Sequence, residues 1–253
     1  MMASATPILS ATGITMEFRG FVAVKDVTLS IREGTVHALI GPNGAGKTTV
    51  FNMLTKFLTP TRGRIEFRGR DITAMKPAEV ARLGLVRSFQ ISAVFPHLTV
   101  LDNVRVALQR PSGLATQFWR SSKILSRLDE RALELIEAVN LSAYAHLPAV
   151  ELPYGRKRAL EIATTLALDP AMLLLDEPMA GMGHEDIGRI SDLIRQIAEN
   201  RTVLMVEHNL HVVEDLCDRV TVLARGEILA DGSYDEVSAD PRVREAYMGT
   251  EHE

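Results

Sequence analysis

The residues most suited to chemistry in this sequence lie in a glycine-rich stretch from Gly41 to Thr48. Its glycines allow successive backbone N–H groups to turn towards phosphate oxygens, and a helix that begins there adds its positive end. The Lys47 ammonium group would contact the β- and γ-phosphates, and the Thr48 hydroxyl would contact Mg²⁺. The stretch predicts the binding of a nucleotide with Mg²⁺, and by itself it leaves open whether the protein phosphorylates a substrate, acts as a switch or drives a movement. The predicted contacts are Gly41, Asn43, Gly44, Ala45, Gly46, Lys47, Thr48 and Thr49.

A second pattern is an apolar run over residues 172–175 that ends in Asp176 and Glu177. An open α/β sheet binds its ligands at the carboxyl ends of its strands. Asp176 is therefore predicted to hold Mg²⁺ through its water shell, and Glu177 to orient or deprotonate the water that attacks the γ-phosphate. Without the glycine-rich stretch, a solvated strand end or a helix cap would be the better interpretation of this pair.

The elements around the glycine-rich stretch have the order that a phosphate-binding loop requires. Before it, the apolar run over residues 36–40 predicts a buried strand. After it, the spacing of Val50, Leu54 and Phe57 predicts a helix over residues 49–58. Strand, loop and helix together favour nucleotide binding over a glycine-rich turn that binds nothing.

The remaining sequence predicts an α/β core with two additions. Alternating strands over residues 8–18 and 22–31 predict an antiparallel β region next to the loop, and a helical lobe is predicted over residues 91–165. Residues 110–123 are predicted to form a loop. Strands alternate with helices afterwards, which implies a largely parallel sheet. The predicted elements are helices over 77–83, 128–139, 152–168, 184–199, 209–217 and 241–248, and strands over 64–67, 85–90, 172–175, 202–206, 219–224 and 227–230.

Composition excludes several classes of protein. The chain has 253 residues, a formal net charge of −4 and one cysteine, Cys217. No intrachain disulfide and no cysteine-based metal cluster can form, so a reducing cytoplasmic setting is expected. The charge gives no overall attraction to nucleic acid, which is not expected as a partner. No apolar run reaches the 18 or so residues that span a bilayer, and residues 1–7 do not form a secretory signal.

Several motifs in order resemble the ATP-binding cassette of ABC transporters. The motifs are Gly41 to Thr48, Gln90, Leu152-Pro-Tyr-Gly155-Arg156, Leu174-Leu-Asp176-Glu177-Pro178 and Glu207-His208. The resemblance covers essentially the whole chain. It implies a single ATP-binding domain over residues 1–253, of the P-loop NTPase fold, with an antiparallel β subdomain and an inserted helical lobe that carries the signature motif. It also implies an ATPase.

The resemblance gives roles to residues that would mean little alone. Gln90 would contact metal and water, His208 would contact the γ-phosphate, and Phe18 would stack on adenine. Tyr154 and Gly155 would belong to the signature that reaches the nucleotide of a second cassette, and residues 178–182 would form the loop that crosses between cassettes. A lone glutamine, histidine or aromatic residue is more often a surface or core residue. Their joint order favours the functional interpretation.

The signature departs from the usual Leu-Ser-Gly-Gly-Gln of the family. Pro153 replaces the serine, Tyr154 the first glycine and Arg156 the glutamine, while Gly155 remains at the predicted start of a helix. Proline has neither a hydroxyl nor an N–H group. The hydrogen-bond donors that serine and glutamine supply are therefore changed in this half of an ATP site.

Finer features resemble the larger ATPase subunit of branched-chain amino acid importers, and importers of urea, amides and other small polar solutes share them. These are Arg87-Ser-Phe-Gln90, Leu152 to Gly155, Ala180-Gly-Met182 and Val243 to Gly249. The resemblance implies two membrane permease subunits, a second, non-identical ATP-binding subunit, a periplasmic solute-binding protein and a peripheral place at the cytoplasmic face of the inner membrane. Two alternatives are a non-transport cassette that acts on nucleic acid or ribosomes, and a regulator that binds nucleotide without hydrolysis.

Overall fold

Two β-sheets with helices packed on them form the part of the chain that the computed structural model describes, residues 6–88, 94–113 and 126–248. The strands are β1 Leu9–Phe18, β2 Phe21–Ile31, β3 Val36–Ile40, β4 Arg62–Phe67, β5 Arg70–Asp71, β6 Leu85–Ser88, β7 Met172–Asp176, β8 Thr202–Val206, β9 Arg219–Ala224 and β10 Glu227–Gly232. The helices are α1 Lys47–Leu54, α2 Pro77–Arg82, α3 Val100–Gln109, α4 Asp129–Ala138, α5 Tyr154–Leu166, α6 His184–Ala198, α7 Leu210–Leu216, α8 Tyr234–Ala239 and α9 Pro241–Met248.

The larger sheet has the strand order β10-β9-β3-β8-β7-β6 in the described residues. Neighbouring strands from β9 to β6 are parallel, and β10 is an antiparallel edge strand. The strands β3, β8 and β7 are adjacent, so their carboxyl ends meet at one edge of the sheet. This order brings the residues after Ile40, Asp176 and Val206 together.

Both faces of the larger sheet are covered by apolar packing. In β7, Leu173 and Leu175 point into one core cluster, whereas Met172 and Leu174 point into the other. All four side chains are at most 1% exposed. Such burial of both faces explains why the strand is a continuous apolar run and not an alternating one. Truncation of one of these leucines to alanine is expected to cost about 2–5 kcal/mol of stability.

The smaller sheet has the order β2-β1-β4-β5, with antiparallel pairing throughout. It confirms the predicted antiparallel β region. Its inner residues pack with α1 in the second core cluster, and they include Ile14, Ile65 and Phe67. The smaller sheet therefore holds the helix that follows the glycine-rich stretch.

The predicted helix over residues 49–58 is wrong at both ends. The helix α1 begins at Lys47 and ends at Leu54. Lys56 has a positive φ of 66°, and the Thr55 hydroxyl donates to the carbonyl oxygen of Phe51 at 2.7 Å. A left-handed residue stops the helix, and the spacing of Val50, Leu54 and Phe57 could not reveal this because it carries no information on the φ angle of Lys56.

A helical lobe lies between β6 and β7, as expected. The helix α4 matches the helix predicted over 128–139, while α3 was not predicted as a separate helix. The start of α3 is fixed by Thr99, whose hydroxyl oxygen accepts a hydrogen bond from the Asp102 N–H at 3.0 Å. The helices α3, α4 and α5 pack around one core cluster. Of the loop predicted over 110–123, residues 114–123 lie outside the described residues.

Candidate active site

The glycine-rich stretch forms a tight loop between β3 and α1. Gly41, Gly44 and Gly46 have φ angles of 148°, 76° and 102°. A Cβ atom on Gly41 would lie 2.0 Å from the carbonyl oxygen of Leu223, and one on Gly46 would lie 2.9 Å from that of Ala23. Glycine is required at both positions because β9 and β2 press against the loop. These contacts restrict the backbone conformation of the loop, whose N–H groups lie at the start of α1.

The Lys47 side chain folds back over this loop. Its Nζ donates hydrogen bonds to the carbonyl oxygens of Gly41 at 2.6 Å and Pro42 at 2.9 Å, and the residue is 7% exposed. Burial lowers the pKa of Lys47, and the nearby carboxylates of Glu177 and Asp176 oppose this shift. The ammonium group thus lies between the loop and the two acidic residues, where an anionic ligand would be attracted.

The loop opens into a cavity of about 600 Å³. The cavity brings together the loop, the start of α1, Glu177 from the end of β7 and His208 from beyond β8. Phe18 does not line it in the described residues, but its antiparallel partner Phe21 does. The adenine role of Phe18 stays a prediction. Four lining residues were not predicted from the sequence: Phe21, Val22, Ala23 and Arg225.

Glu177 and His208 contact each other. The Glu177 Oε1 and the His208 Nε2 are 2.8 Å apart, and the carboxylate can only accept, so Nε2 donates. The Glu177 N–H donates to the carbonyl oxygen of Val206 at 3.0 Å, and Glu177 has a positive φ of 46°. This unusual backbone angle turns the side chain away from the strand direction and into the cavity. The two residues therefore present a hydrogen-bonded pair next to Lys47.

Asp176 is buried at the end of β7, directly before Glu177 in the chain. Its carboxylate oxygen Oδ2 accepts from Arg87 of β6, and its carbonyl oxygen accepts from Nη2 of Arg158 at 2.9 Å. Arg158 is itself paired with Glu161 at 2.7 Å. The end of β7 is thus fixed from two sides by buried guanidinium groups.

Glu207 has a structural role that the order of the motifs did not suggest. It is 3% exposed, and its Oε1 accepts from the Met179 N–H at 2.9 Å while its Oε2 accepts from the His208 N–H at 2.9 Å. One buried carboxylate thereby fixes the segment after Glu177 and the backbone of His208 in the same position. The available sequence signals were its position after an apolar strand and its place in the Glu207-His208 motif.

The signature residues lie apart from this cavity. Tyr154 begins α5 and is 59% exposed. A Cβ atom on Gly155 would lie 2.5 Å from the Asp186 carboxyl carbon, so the Asp186 side chain of α6 lies against this glycine. Arg156 turns back into its own lobe, where its Nη1 donates to the carbonyl oxygen of Asn140 at 3.0 Å. Gln90 lies outside the described residues.

The C-terminal helix reaches the loop from the opposite side. The Tyr247 hydroxyl of α9 hydrogen-bonds to the backbone of Gly41, and burial raises its pKa to about 12. The ring packs against the core cluster that includes Ile40 and Val222. The last helix therefore supports the first residue of the loop.

A separate apolar groove lies between β6, α2 and the helical lobe. It has a volume of about 430 Å³, and it is lined by residues of α2, β6, α3 and α5 and of the segments that follow α1 and precede α3. Two phenylalanines with about half of their surface exposed, Phe57 and Phe95, lie at its edge. In the part of the chain that the structure describes, we find no helix with the length and apolar character of a transmembrane span.

Comparison with known proteins agrees with this geometry. The family model of the ABC transporter matches residues 24–180, and that of the branched-chain amino acid ATP-binding cassette transporter matches residues 227–253. The chain is 38% identical to the high-affinity branched-chain amino acid transport ATP-binding protein LivG of Salmonella typhimurium, over 96% of this chain and 98% of that protein. It is 39% identical to BraF, the protein of the same description in Pseudomonas aeruginosa, over 96% and 98%.

A solved structure of an ATP-binding cassette of an ABC transporter, in its ADP conformation, has a TM-score of 0.84 and 31% identity to this chain. The match covers 96% of this chain and 99% of the chain in that structure. The P-loop NTPase fold expected from the sequence is confirmed. The loop, the Glu177–His208 pair and the match over nearly the whole length agree with one another, and the chain belongs to the ATP-hydrolysing, ATP-binding subunits of ABC transporters, in the branch of the branched-chain amino acid transport proteins.

Proposed function

We propose that this chain hydrolyses ATP to drive the uptake of branched-chain or other hydrophobic amino acids through two membrane permease subunits. The single observation that carries the ATPase part is the cavity shared by the phosphate-binding loop, Glu177 and His208. The C-terminal family match over residues 227–253 favours amino acids over urea, amides or other polar solutes. The domain is taken as residues 1–253, with the signature-bearing lobe over 91–165.

The chain's own residues divide the reaction between them. Lys47 and the loop N–H groups hold the β- and γ-phosphates, and Glu177 accepts the proton of the attacking water. His208, which is 2.8 Å from Glu177 Oε1, orients that carboxylate and lies close enough to the cavity to contact the γ-phosphate. Electrostatic positioning of this kind supplies most of the catalysis in phosphoryl transfer.

Magnesium fits the oxygen donors at the loop. The hydroxyl of Thr48 and the carboxylate of Asp176 are hard ligands, and Gln90 would add an amide oxygen. In the described residues no cluster of three or more histidine, cysteine, aspartate or glutamate side chains could hold a metal ion. A cation held by few protein oxygens and completed by phosphates and water agrees with both observations. When bound, Mg²⁺ would neutralise charge on the phosphates.

A second ATP-binding subunit would complete each site. Tyr154 and Gly155 do not line the cavity formed by the loop of their own chain, so a signature at the nucleotide would have to come from another chain. Two non-identical subunits would pack head to tail, with residues 178–182 crossing between them. The altered signature of this chain, Pro153 to Arg156, supports the pairing of unlike subunits because a partner would supply the ordinary donors.

The permease subunits would dock in the apolar groove lined by Phe57 and Phe95. It has a volume of about 430 Å³ and exposed aromatic side chains, which suit a short amphipathic segment of a partner. Docking there would place the chain peripherally at the cytoplasmic face of the inner membrane. A periplasmic solute-binding protein would deliver the solute from the other side.

A reconstituted transporter tests the proposal. The chain, its partner ATPase, the permeases and the binding protein would be assembled in proteoliposomes, and ATP hydrolysis would be measured with leucine, isoleucine or urea. Stimulation by the branched-chain amino acids and none by urea is the expected result. Stimulation by urea alone would redirect the solute assignment, and equal hydrolysis by the Glu177→Gln variant would contradict the site.

A further inference from the structure

Arg87 and Asp176 form an ion pair in the interior of the site. Arg87 lies on β6 opposite Leu174 of β7, and its Nη2 donates to the Asp176 Oδ2. The two side chains are 10% and 5% exposed. At this burial the pair is shielded from water and salt, so the guanidinium neutralises most of the carboxylate's charge.

The same guanidinium is anchored to α1. Its Nη1 donates to Oδ1 of Asn52 at 2.6 Å, and its central carbon lies 5.7 Å from the centre of the Phe51 ring. The planar fork of arginine fits two acceptors in fixed directions, which a lysine could not satisfy at once. Arg87 therefore joins the acidic end of β7 to the helix that begins with Lys47 and Thr48.

A divalent cation at this site would need the negative charge of the Asp176 carboxylate, which Arg87 neutralises. A carboxylate that already holds a buried cation attracts a second cation less strongly, because the two positive charges repel each other at short range. Ligands from nucleotide phosphates would supply the missing negative charge. The ion pair thus lowers the affinity for the cation while no nucleotide is present.

We propose that Arg87 is a positioning residue that holds Asp176 between β7 and α1 and prevents the site from binding a divalent cation before nucleotide. The proposal rests on the assignment of Asp176 to the magnesium site under the proposed function. It gives Arg87 a part in the order of ligand binding that the motifs themselves do not contain.

Manganese binding, followed by electron paramagnetic resonance, tests the proposal on the full chain. Free Mn²⁺ would be titrated without nucleotide into wild type and the Arg87→Gln variant. We expect the variant to bind Mn²⁺ at least tenfold more tightly, about 1.4 kcal/mol. The charge-preserving Arg87→Lys variant should stay within threefold of wild type. Equal or weaker binding by Arg87→Gln would overturn the proposal.

Two further variants separate the possible failures. Arg87→Met removes the charge but keeps a straight chain over Phe51, so it replaces Arg87→Gln if that variant does not fold. If neither neutral variant folds, a tenfold gain in Arg87→Lys would still contradict the proposal, and unchanged binding would support it.

Asp176→Asn addresses the metal assignment itself. With adenylyl imidodiphosphate bound, we expect it to weaken Mn²⁺ binding at least tenfold. If Asp176→Asn has no effect, the assignment of Asp176 to the metal fails. If it weakens binding while removal of the Arg87 charge changes nothing, only the proposal for Arg87 fails.

Discussion

The Arg156 guanidinium lies over the ring of Tyr144, 5.3 Å from its centre, and also donates to the carbonyl oxygen of Asn140. Both contacts are within its own helical lobe. Arg156 thus has hydrogen-bond and ring partners within its own chain. Nothing in this arrangement offsets the serine hydroxyl that Pro153 lacks.

An asymmetry between the two ATP sites follows. If the partner subunit carries serine at the position of Pro153, the site built from Lys47 and Glu177 of this chain is the stronger one. A missing hydrogen bond to a charged group is worth about 1.5–3 kcal/mol, or roughly tenfold to a hundredfold in rate. We expect Glu177→Gln to reduce transport-coupled ATPase activity more than the matching change in the partner.

The comparison requires both single variants in the same reconstituted complex. Arg156→Ala is the matched control and should alter the hydrolysis rate by less than about twofold, because only stacking and one hydrogen bond are lost. Equal losses from the two glutamate variants would reject the asymmetry and leave the ATPase assignment intact.

Lys47→Ala should weaken ATP binding and hydrolysis together. The variant removes the ammonium group that now lies on Gly41 and Pro42 and is available to the phosphates. Loss of one preorganised charge at the reacting group costs roughly a hundredfold to a thousandfold in turnover. Fluorescent nucleotide titration and steady-state hydrolysis in the complex check the result, with Lys25→Ala, at an exposed position, as the control. A wild-type rate would refute the nucleotide site.

The free energy of unfolding should depend on pH because His37 is buried. This ring is 1% exposed, its Nε2 lies 2.7 Å from the hydroxyl of Thr221, and burial lowers its pKa from 6.5 to about 4. As pH falls below 6.5 the unfolded chain binds a proton that the folded chain excludes. The contribution of His37 to the free energy of unfolding is therefore fully present above pH 6.5. It decreases by roughly 3 kcal/mol as the pH falls to 4 and below.

Urea unfolding at pH 7 and pH 5 tests this expectation. Between those values the wild type should lose roughly 2 kcal/mol more than His37→Gln, which cannot be protonated. His146→Gln, at an exposed position, is the control for the removal of a histidine. Parallel pH profiles for wild type and His37→Gln would disprove the role of the buried ring.

Lys56→Gly should stabilise the fold. Lys56 has a φ of 66° and is 5% exposed, and its Nζ has no hydrogen-bond partner in the described part of the chain. Glycine adopts this angle freely, although it loses more backbone entropy on folding. A net gain of about 1 kcal/mol would raise Tm by about 2–4 °C.

Differential scanning calorimetry measures this gain. Arg19→Gly is the matched control because Arg19 has a φ of 48° but is exposed, so it reports the backbone effect without a buried charge. We expect a smaller rise for Arg19→Gly. A fall in Tm for Lys56→Gly would mean that the buried ammonium group is favourable.

Tyr247→Phe should loosen the phosphate-binding loop without unfolding α9. The change removes only the hydroxyl that bonds to the backbone of Gly41 and keeps the packed ring. We expect faster amide hydrogen exchange across residues 41–46 and a few-fold weaker ATP binding, since one hydrogen bond contributes about 1 kcal/mol. Tyr234→Phe is the control. Unchanged exchange in the loop would show that the hydroxyl does not support it.

The sequence alone determined the chemistry and most of the elements. Glycine spacing after an apolar run specifies a phosphate-binding loop whatever surrounds it, because the requirement is local to the backbone. Apolar periodicity likewise placed α4 and α6 to within a residue or so, since a helix reports its buried face through its own spacing. The end of α1 was missed because a left-handed lysine leaves no trace in such a pattern.

Contacts between distant residues were decided only by the tertiary structure. Arg87 and Asp176 are separated by 89 positions, and His208 and Glu177 by 31. Their contacts depend on which strands are neighbours. An apolar pattern predicts that a strand is buried, but it does not predict which element packs against it. The order β3-β8-β7-β6 makes these contacts, and it is set by packing over the whole sheet and not by any single segment.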